Sequence, residues 1–309
     1  MVQEKLVIDD IELNSLYWAD DIVLLSKSHE NLSEMIDVLA NYCRENKLTI
    51  NIKKTKCLIF NKTGRLIRSK FFLNGTEIEN VRSYKYLGFI FTPSGEIRTG
   101  LNDLRDRALK AFHILRNKMG NYFNNNVLTV IGLFESMIKP ILLYSSDFWG
   151  CLKLPNNNPI ETLHMRICKQ ILCVQKQTTN LGVLLELGRT PLDIFCIKQA
   201  VKNWERIKKK DANSILLSSY KDAIKENLPW ITGIKGHLER NGMFGFFLNE
   251  YPRSHNFTSK KLYQTLVDEF HQNAFATIKA ERSKLRTFAL FKTRIGMEKY
   301  LVDIKNVAI

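Results

Sequence analysis

Seven apolar residues, Ile97, Leu101, Leu104, Ala108, Phe112, Leu115 and Met119, follow one another at steps of 4, 3, 4, 4, 3 and 4. This is the 3.6-residue period of a helix, and it requires one long amphipathic helix whose apolar stripe is buried and which Gly120 ends. Arg98, Arg105, Arg107, Lys110, Arg116 and Lys118 lie off the stripe and make its exterior basic. Helical spacing continues over 127–138 to Pro140, over 160–174 and over 192–209, with Asn156, Asn157, Asn158 and Pro159 as a loop. The tail from 211 onward is helical and less regular. No apolar run reaches the roughly 18 residues that span a bilayer, so no membrane partner is expected.

Before Gly95 the pattern is different. Val7 and Ile8, then 11–13, read as short strands around a turn at Asp9 and Asp10. The run 16–26 is aliphatic, aromatic and β-branched, which suggests strands buried on both sides. Ser28 can cap a helix whose Leu32, Met35, Ile36, Leu39 and Cys43 share one face. Strands are expected at 48–52 and 56–60, joined by Lys53, Lys54 and Thr55. A basic loop then leads to a strand at 71–73 and to Asn74-Gly75, a hairpin turn in which both residues tolerate φ > 0. Another strand-like run covers 84–91.

Charge follows the same boundary. Of the formal +15, residues 1–95 carry +1, 96–210 carry +9 and 211–309 carry +5. A basic excess of this size favours a polyanion, because phosphate neutralisation dominates non-specific nucleic-acid affinity. A solvated basic surface is the plainer reading. The six cysteines show no CxxC spacing, so they read as free thiols of an intracellular chain rather than as zinc ligands or a redox pair.

Asp20 and Asp21 stand in the middle of an apolar run. Burying two ionised carboxylates there costs several kcal/mol each unless a cation compensates, and Mg²⁺ prefers oxygen ligands. A hairpin tip that exposes both acids, or a pair neutralised by a basic side chain, satisfies the pattern equally.

The stretch from Tyr17, Trp18, Ala19, Asp20 and Asp21 to Ser26 resembles the aromatic-Ala-Asp-Asp box, motif C, of reverse transcriptases. Residues 48–56 look like motif D, and Tyr84 to Phe89 like the primer grip, motif E. The basic helix from 97 looks like the thumb, while 139–144 and 283–288 are similar to segments beyond the thumb in non-LTR, LINE-type retrotransposons. The resemblance implies an α+β chain: an antiparallel palm remnant over 1–95, a helical thumb over 96–210 and a helical C-terminal region over 211–309.

It also implies RNA-directed DNA polymerisation, a nucleotidyl transfer with an RNA template, a DNA primer, deoxynucleotides and two Mg²⁺ ions. One ion activates the primer hydroxyl and the other neutralises the leaving pyrophosphate. Carried over, Asp20 is the direct metal ligand and Asp21 its partner. Lys54 stabilises the leaving group, and Tyr86, Leu87 and Gly88 place the primer end. Trp18 departs from the usual Phe or Tyr of the box. Related elements act in the nucleus, although Lys208, Lys209 and Lys210 alone are too short a signal to locate this chain there. Only 16 residues precede motif C, too few for fingers, a motif A aspartate and a motif B helix. The expectation is therefore a chain that does not polymerise alone and has an exposed sheet edge. The alternative is a non-catalytic nucleic-acid-binding remnant.

Overall fold

Short strands rich in turns come first, and helices follow. The computed structural model describes residues 6–9, 11–155, 157–211, 213–248, 257–281 and 283–302. Asp10 and Asn156 of the expected turns lie outside them. β1 (Val7–Ile8) and β2 (Ile11–Glu12) form one antiparallel pair, and β3 (Ser15–Trp18) and β4 (Asp21–Leu24) another. Ser28 then caps α1 (His29–Glu45), its hydroxyl accepting from the Asn31 amide at 3.2 Å. β5 (Lys56–Cys57), β6 (Phe71–Leu73) and β7 (Thr76–Asn80) make a three-stranded sheet in the order β5-β7-β6. Its β5–β7 pairing is parallel, whereas β6–β7 is an antiparallel hairpin. Asn74 and Gly75 turn that hairpin with φ of 50° and 77°, both positive as the sequence requires. Ile36 and Ala40 of α1 pack on Phe71, Leu73 and Ile78 of this sheet.

Several stretches differ from the reading of the sequence, and the strand expected at 56–60 is confined to Lys56–Cys57. Residues 48–52 form no strand, yet Ile50 and Ile52 pack against the α1–sheet core. Apolar side chains bury themselves there without backbone pairing. The run 84–91 folds as two strands, β8 (Tyr84–Tyr86) and β9 (Phe89–Phe91), reversed at Leu87 and Gly88.

α2 (Arg98–Met119) forms as the period demands. Leu101, Leu104 and Ala108 are fully buried, and Phe112 and Leu115 nearly so. The helices α3 (Tyr122–Asn125) and α4 (Val127–Leu133) follow. A π-helical turn, Phe134–Ile138, leads into α5 (Lys139–Leu142). Pro140 in the first turn of α5 has no amide to donate, and such register changes accommodate that loss. Next come α6 (Ser146–Trp149), α7 (Pro159–Ile171) and α8 (Asn180–Glu186). Asn158 caps α7, accepting from the Ile160 amide at 3.0 Å. α9 (Leu192–Ile207), α10 (Ile215–Lys225), α11 (Pro229–Arg240) and α12 (Phe244–Phe247) succeed them. The chain closes with α13 (Phe257–Lys279), α14 (Arg286–Phe291) and α15 (Lys299–Val302).

The fold is thus mixed helix and sheet. No helix among the described residues is long and apolar enough to cross a membrane. Two units pack separately. One holds the residues up to Thr99 together with Ile207–Asn227, and the other holds Gly100–Arg206 with Leu228–Ile309. Within the first unit α10 lies against β1, and its Lys221 bonds Asp9 at 3.2 Å.

In the second unit the core centres on Trp149, Trp204, Ile138, Leu142 and Ile167, all fully buried. The Trp149 indole donates to the Tyr144 carbonyl at 2.9 Å, which satisfies its one polar atom. All six cysteines are free thiols. Burial pushes the Cys151 thiol up to about 12 and raises Cys196 as well, so neither is a nucleophile near neutral pH.

Candidate metal and nucleic-acid site

β3 and β4 pair Trp18 with Asp21, leaving Ala19 and Asp20 as a two-residue turn. Ala19 has a φ of 54°. A left-handed backbone at a residue with a Cβ costs about 1–2 kcal/mol, and such strain concentrates at functional sites. The turn places Asp20 at the tip and Asp21 at the first position of β4 next to it in sequence.

Both acids are exposed. The sequence suggested strands buried on both sides, and the structure corrects this: Tyr17 is 68% exposed and Trp18 65%. The cause is architectural. Among the described residues β3–β4 is a two-stranded ribbon, and it is held at its root, where Leu24 packs on the α1–sheet core. Among the described residues no third strand covers the tip. A burial penalty therefore does not drive cation binding here. What the tip offers is two adjacent carboxylates open to water. Mg²⁺ is commonly held by one or two carboxylates with waters and substrate phosphates, so the pair fits part of a magnesium site. Among the described residues there is no group of three or more His, Cys, Asp or Glu side chains placed to hold a metal. Asp9 is engaged with Lys221 at its own turn.

Lys54 sits in a turn rather than between two strands. Its amide donates to the Asn51 carbonyl and side chain at 3.0 and 3.2 Å, and its side chain is exposed. Tyr86, Leu87 and Gly88 meet at the β8–β9 turn, with Leu87 at φ 45° and Gly88 at φ 81°. Leu87 is an apolar residue in the left-handed region and 41% exposed. The two turns assigned to motifs C and E therefore share one unusual trait, a residue with a Cβ at positive φ in the first turn position.

The basic residues of α2 do not form one patch. At about 100° per residue, Arg98, Arg105 and Arg116 line one edge of the buried stripe and Arg107 and Lys118 the other, with Lys110 opposite. Several are also engaged. Arg105 pairs with Asp106 at 2.8 Å, and Arg107 with Asp103 at 2.9 Å. Arg116 donates to Gln170 at 3.0 Å and lies 5.7 Å from the Phe123 ring. Partial neutralisation weakens the field that the bare count of charges implies.

Sequence reasoning passed over a cluster around the π-helical turn. Glu135 accepts from Lys139 at 2.7 Å and from Arg189 at 2.6 Å, and the Arg189 guanidinium lies 4.7 Å from the Phe134 ring. Burial works to raise the Glu135 carboxyl, yet its bonds to Lys139 and Arg189 and their charges outweigh burial and hold it below the ordinary carboxylate range. Arg189 also donates through Nε to the buried His164. These groups fix α7 and the turn against each other, a structural role.

Comparison with known proteins adds a likeness. Residues 2–91 match the family model described as reverse transcriptase (RNA-dependent DNA polymerase). The chain is also 30% identical, over 142 residues, to a transposon-derived protein of Caenorhabditis elegans. That alignment covers 44% of this chain and 49% of the relative, so the chain spans about half the length of the curated protein it matches. No solved structure matches. The Asp20–Asp21 hairpin, the α1–sheet layer and the Leu87–Gly88 turn all fall inside the matched segment. Residues 2–91 of this chain are thus similar to the reverse transcriptase family.

Proposed function

We propose that these 309 residues are the part of a non-LTR retrotransposon reverse transcriptase that runs from motif C onward, and that they engage an RNA template and a DNA primer. The observation that carries this reading is the β3–β4 tip, where one turn in the matched segment presents Asp20 and Asp21 together to solvent. Similarity to a transposon-derived protein supports the ancestry. Magnesium held at Asp20 and Asp21 would supply positive charge to an attacking hydroxyl and to a leaving pyrophosphate.

The chain's own residues take the remaining roles. Lys54, exposed in its turn, reaches the triphosphate. Tyr86, Leu87 and Gly88 position the primer end, and the rigid reversal at Leu87–Gly88 gives that contact a fixed shape. The edges of α2 follow the duplex backbone through Arg98, Arg105, Arg116, Arg107 and Lys118, with Lys110 farther out. A complete two-ion site requires an acid beyond Asp20 and Asp21. The isolated chain accordingly binds primer–template without extending it.

The test uses the purified chain, a labelled DNA primer on an RNA template, deoxynucleotides and Mg²⁺. The expected result is a mobility shift with no extended product, and a shift within about twofold of wild type for Asp20→Ala/Asp21→Ala, because the pair lies apart from the cationic residues in sequence. Extension that needs both Mg²⁺ and Asp20 would overturn the inactivity of the isolated chain. Absence of any shift would overturn the nucleic-acid reading itself.

A further inference from the structure

One side of α9 is buried through Ile197, Ala200, Val201 and Trp204. The other carries Phe195, Lys198, Gln199, Lys202, Asn203 and Arg206 at steps of 3, 1, 3, 1 and 3. That is a single helical stripe about 16 Å long. Beside it, α13 brings Lys260 and Tyr263. The Lys198 ammonium lies 4.1 Å from the Tyr263 ring centre and 5.7 Å from that of Phe195. Lys139 approaches the same Phe195 ring at 4.5 Å.

Among the described residues, Lys139 has Glu135 as a partner, whereas Lys198, Lys202 and Lys260 have no carboxylate within ion-pair distance. The ammonium of Lys198 is held below the ordinary lysine range, first by burial and then by Lys202, Lys139 and Lys260. Three like charges held near one another with no ion-pair partner of their own are unfavourable until an anion arrives. The cluster is also preorganised. The buried Glu205 of α9 accepts from the Thr258 and Ser259 amides in the first turn of α13, at 2.9 and 3.2 Å. The start of α13, and with it Lys260 and Tyr263, is thereby fixed in register with Lys198 and Lys202.

We infer that this α9–α13 stripe is a docking surface for single-stranded nucleic acid. Lys198, Lys202 and Lys260 meet the phosphates, and Phe195 and Tyr263 offer ring surfaces to unstacked bases. Cationic grooves interleaved with aromatic rings are how proteins hold single strands without reading sequence. A polar cleft of about 210 Å³ adjoins the stripe, with Gln199, Lys202, Asn203 and Arg206 in its wall and Ser146 and the single acid Asp147 facing them. It is smaller than the roughly 300–1,000 Å³ of sites that enclose a small molecule, so it suits one group of a strand lying across it. The stripe extends the nucleic-acid reading above and rests on it only for the choice of polyanion. It involves neither Asp20 and Asp21 nor the charges of α2.

The test measures affinity of the full chain for a 20-nucleotide oligo-dT and a 20-nucleotide oligo-U across a salt series. Each phosphate contact on a single strand contributes about 0.7 to the slope of log K against log salt. Lys198→Gln/Lys202→Gln/Lys260→Gln is expected to lower that slope by about 2, and Lys202→Gln/Lys260→Gln, which spares the partly buried Lys198, by about 1.4. Arginine at the same positions keeps the slope. Tyr263→Ala is expected to weaken binding about tenfold with the slope unchanged. A lowered slope on both oligomers supports backbone contacts common to DNA and RNA; lowering on one alone supports the stripe and identifies its strand. Wild-type binding with a slope that the glutamine variants leave unchanged overturns the stripe while the nucleic-acid reading stands. A wild type that binds neither oligomer overturns both.

Discussion

Gly233→Ala is expected to destabilise the second unit by about 3 kcal/mol or more, at the upper end of overpacking costs. A Cβ at Gly233 of α11 would fall on the Cys151 carbonyl, and a Cβ at Gly150 on the Cys196 carbonyl. The stretch around Gly150 and Cys151 is thus held between the backbones of α9 and α11, with a glycine at each contact. Because the obstacles are main-chain atoms, no side chain can turn aside to make room. For a unit of this size the melting temperature should fall by roughly 6–12 °C. Gly236, one turn further along the same helix, has nothing within 4 Å of the place a Cβ would occupy. Gly236→Ala should therefore gain about 0.5–1 kcal/mol from helix propensity. Thermal melts of the two variants, followed by circular dichroism, separate the effects. Equal melting temperatures for both would contradict the close backbone approach.

Glu205→Ala is the second large effect. The carboxylate is 3% exposed and accepts from two amides at the start of α13. Those amides have no intrahelical acceptor, and Thr258 and Ser259 are themselves buried. Removing the acceptor leaves buried donors unsatisfied and takes negative charge from a helix N-terminus, together about 3 kcal/mol. Glu205→Gln keeps one oxygen acceptor and should cost less. Urea unfolding of the wild type and both variants checks this order. A Glu205→Ala chain as stable as wild type would mean that α9 does not hold the start of α13.

The ease of reading the sequence varied with the range of the forces involved. The stripe of α2, the Ser28 cap and the Asn74-Gly75 turn depend on neighbours within a few residues, and all three appear as anticipated. The strand at 48–52 did not form, because Ile50 and Ile52 satisfy the apolar pattern by packing on the α1–sheet core without a ladder. Periodicity records burial, not pairing. The reversal at Leu87 was hidden because leucine is a poor left-handed residue, and only Gly88 signalled a turn. Reading 16–26 as doubly buried assumed covering layers that the described residues do not provide for the β3–β4 tip.

The candidate site divides in the same way. Asp20 and Asp21 stand out as an acidic pair in an apolar run, and their placement at one turn follows from the hairpin. The charges of α2 were countable, but their engagement by Asp103, Asp106 and Gln170 was not. The lysine and aromatic stripe was least legible. Lys198 and Tyr263 are far apart in the chain and meet where α13, tied to α9 through Glu205, lies beside it. Glu205 itself left one clue, an acid four residues after Val201 on the buried side of its helix.

The proposed function requires the tip of the β3–β4 hairpin to hold a divalent cation through Asp20 and Asp21. The direct measurement is paramagnetic line broadening in ¹H–¹⁵N spectra of the labelled chain titrated with Mn²⁺, an oxygen-seeking stand-in for Mg²⁺. Broadening is expected to centre on Trp18 to Ile22 in the wild type and to be lost in Asp20→Asn/Asp21→Asn. Broadening that misses the tip, or that persists in the double variant, would contradict it.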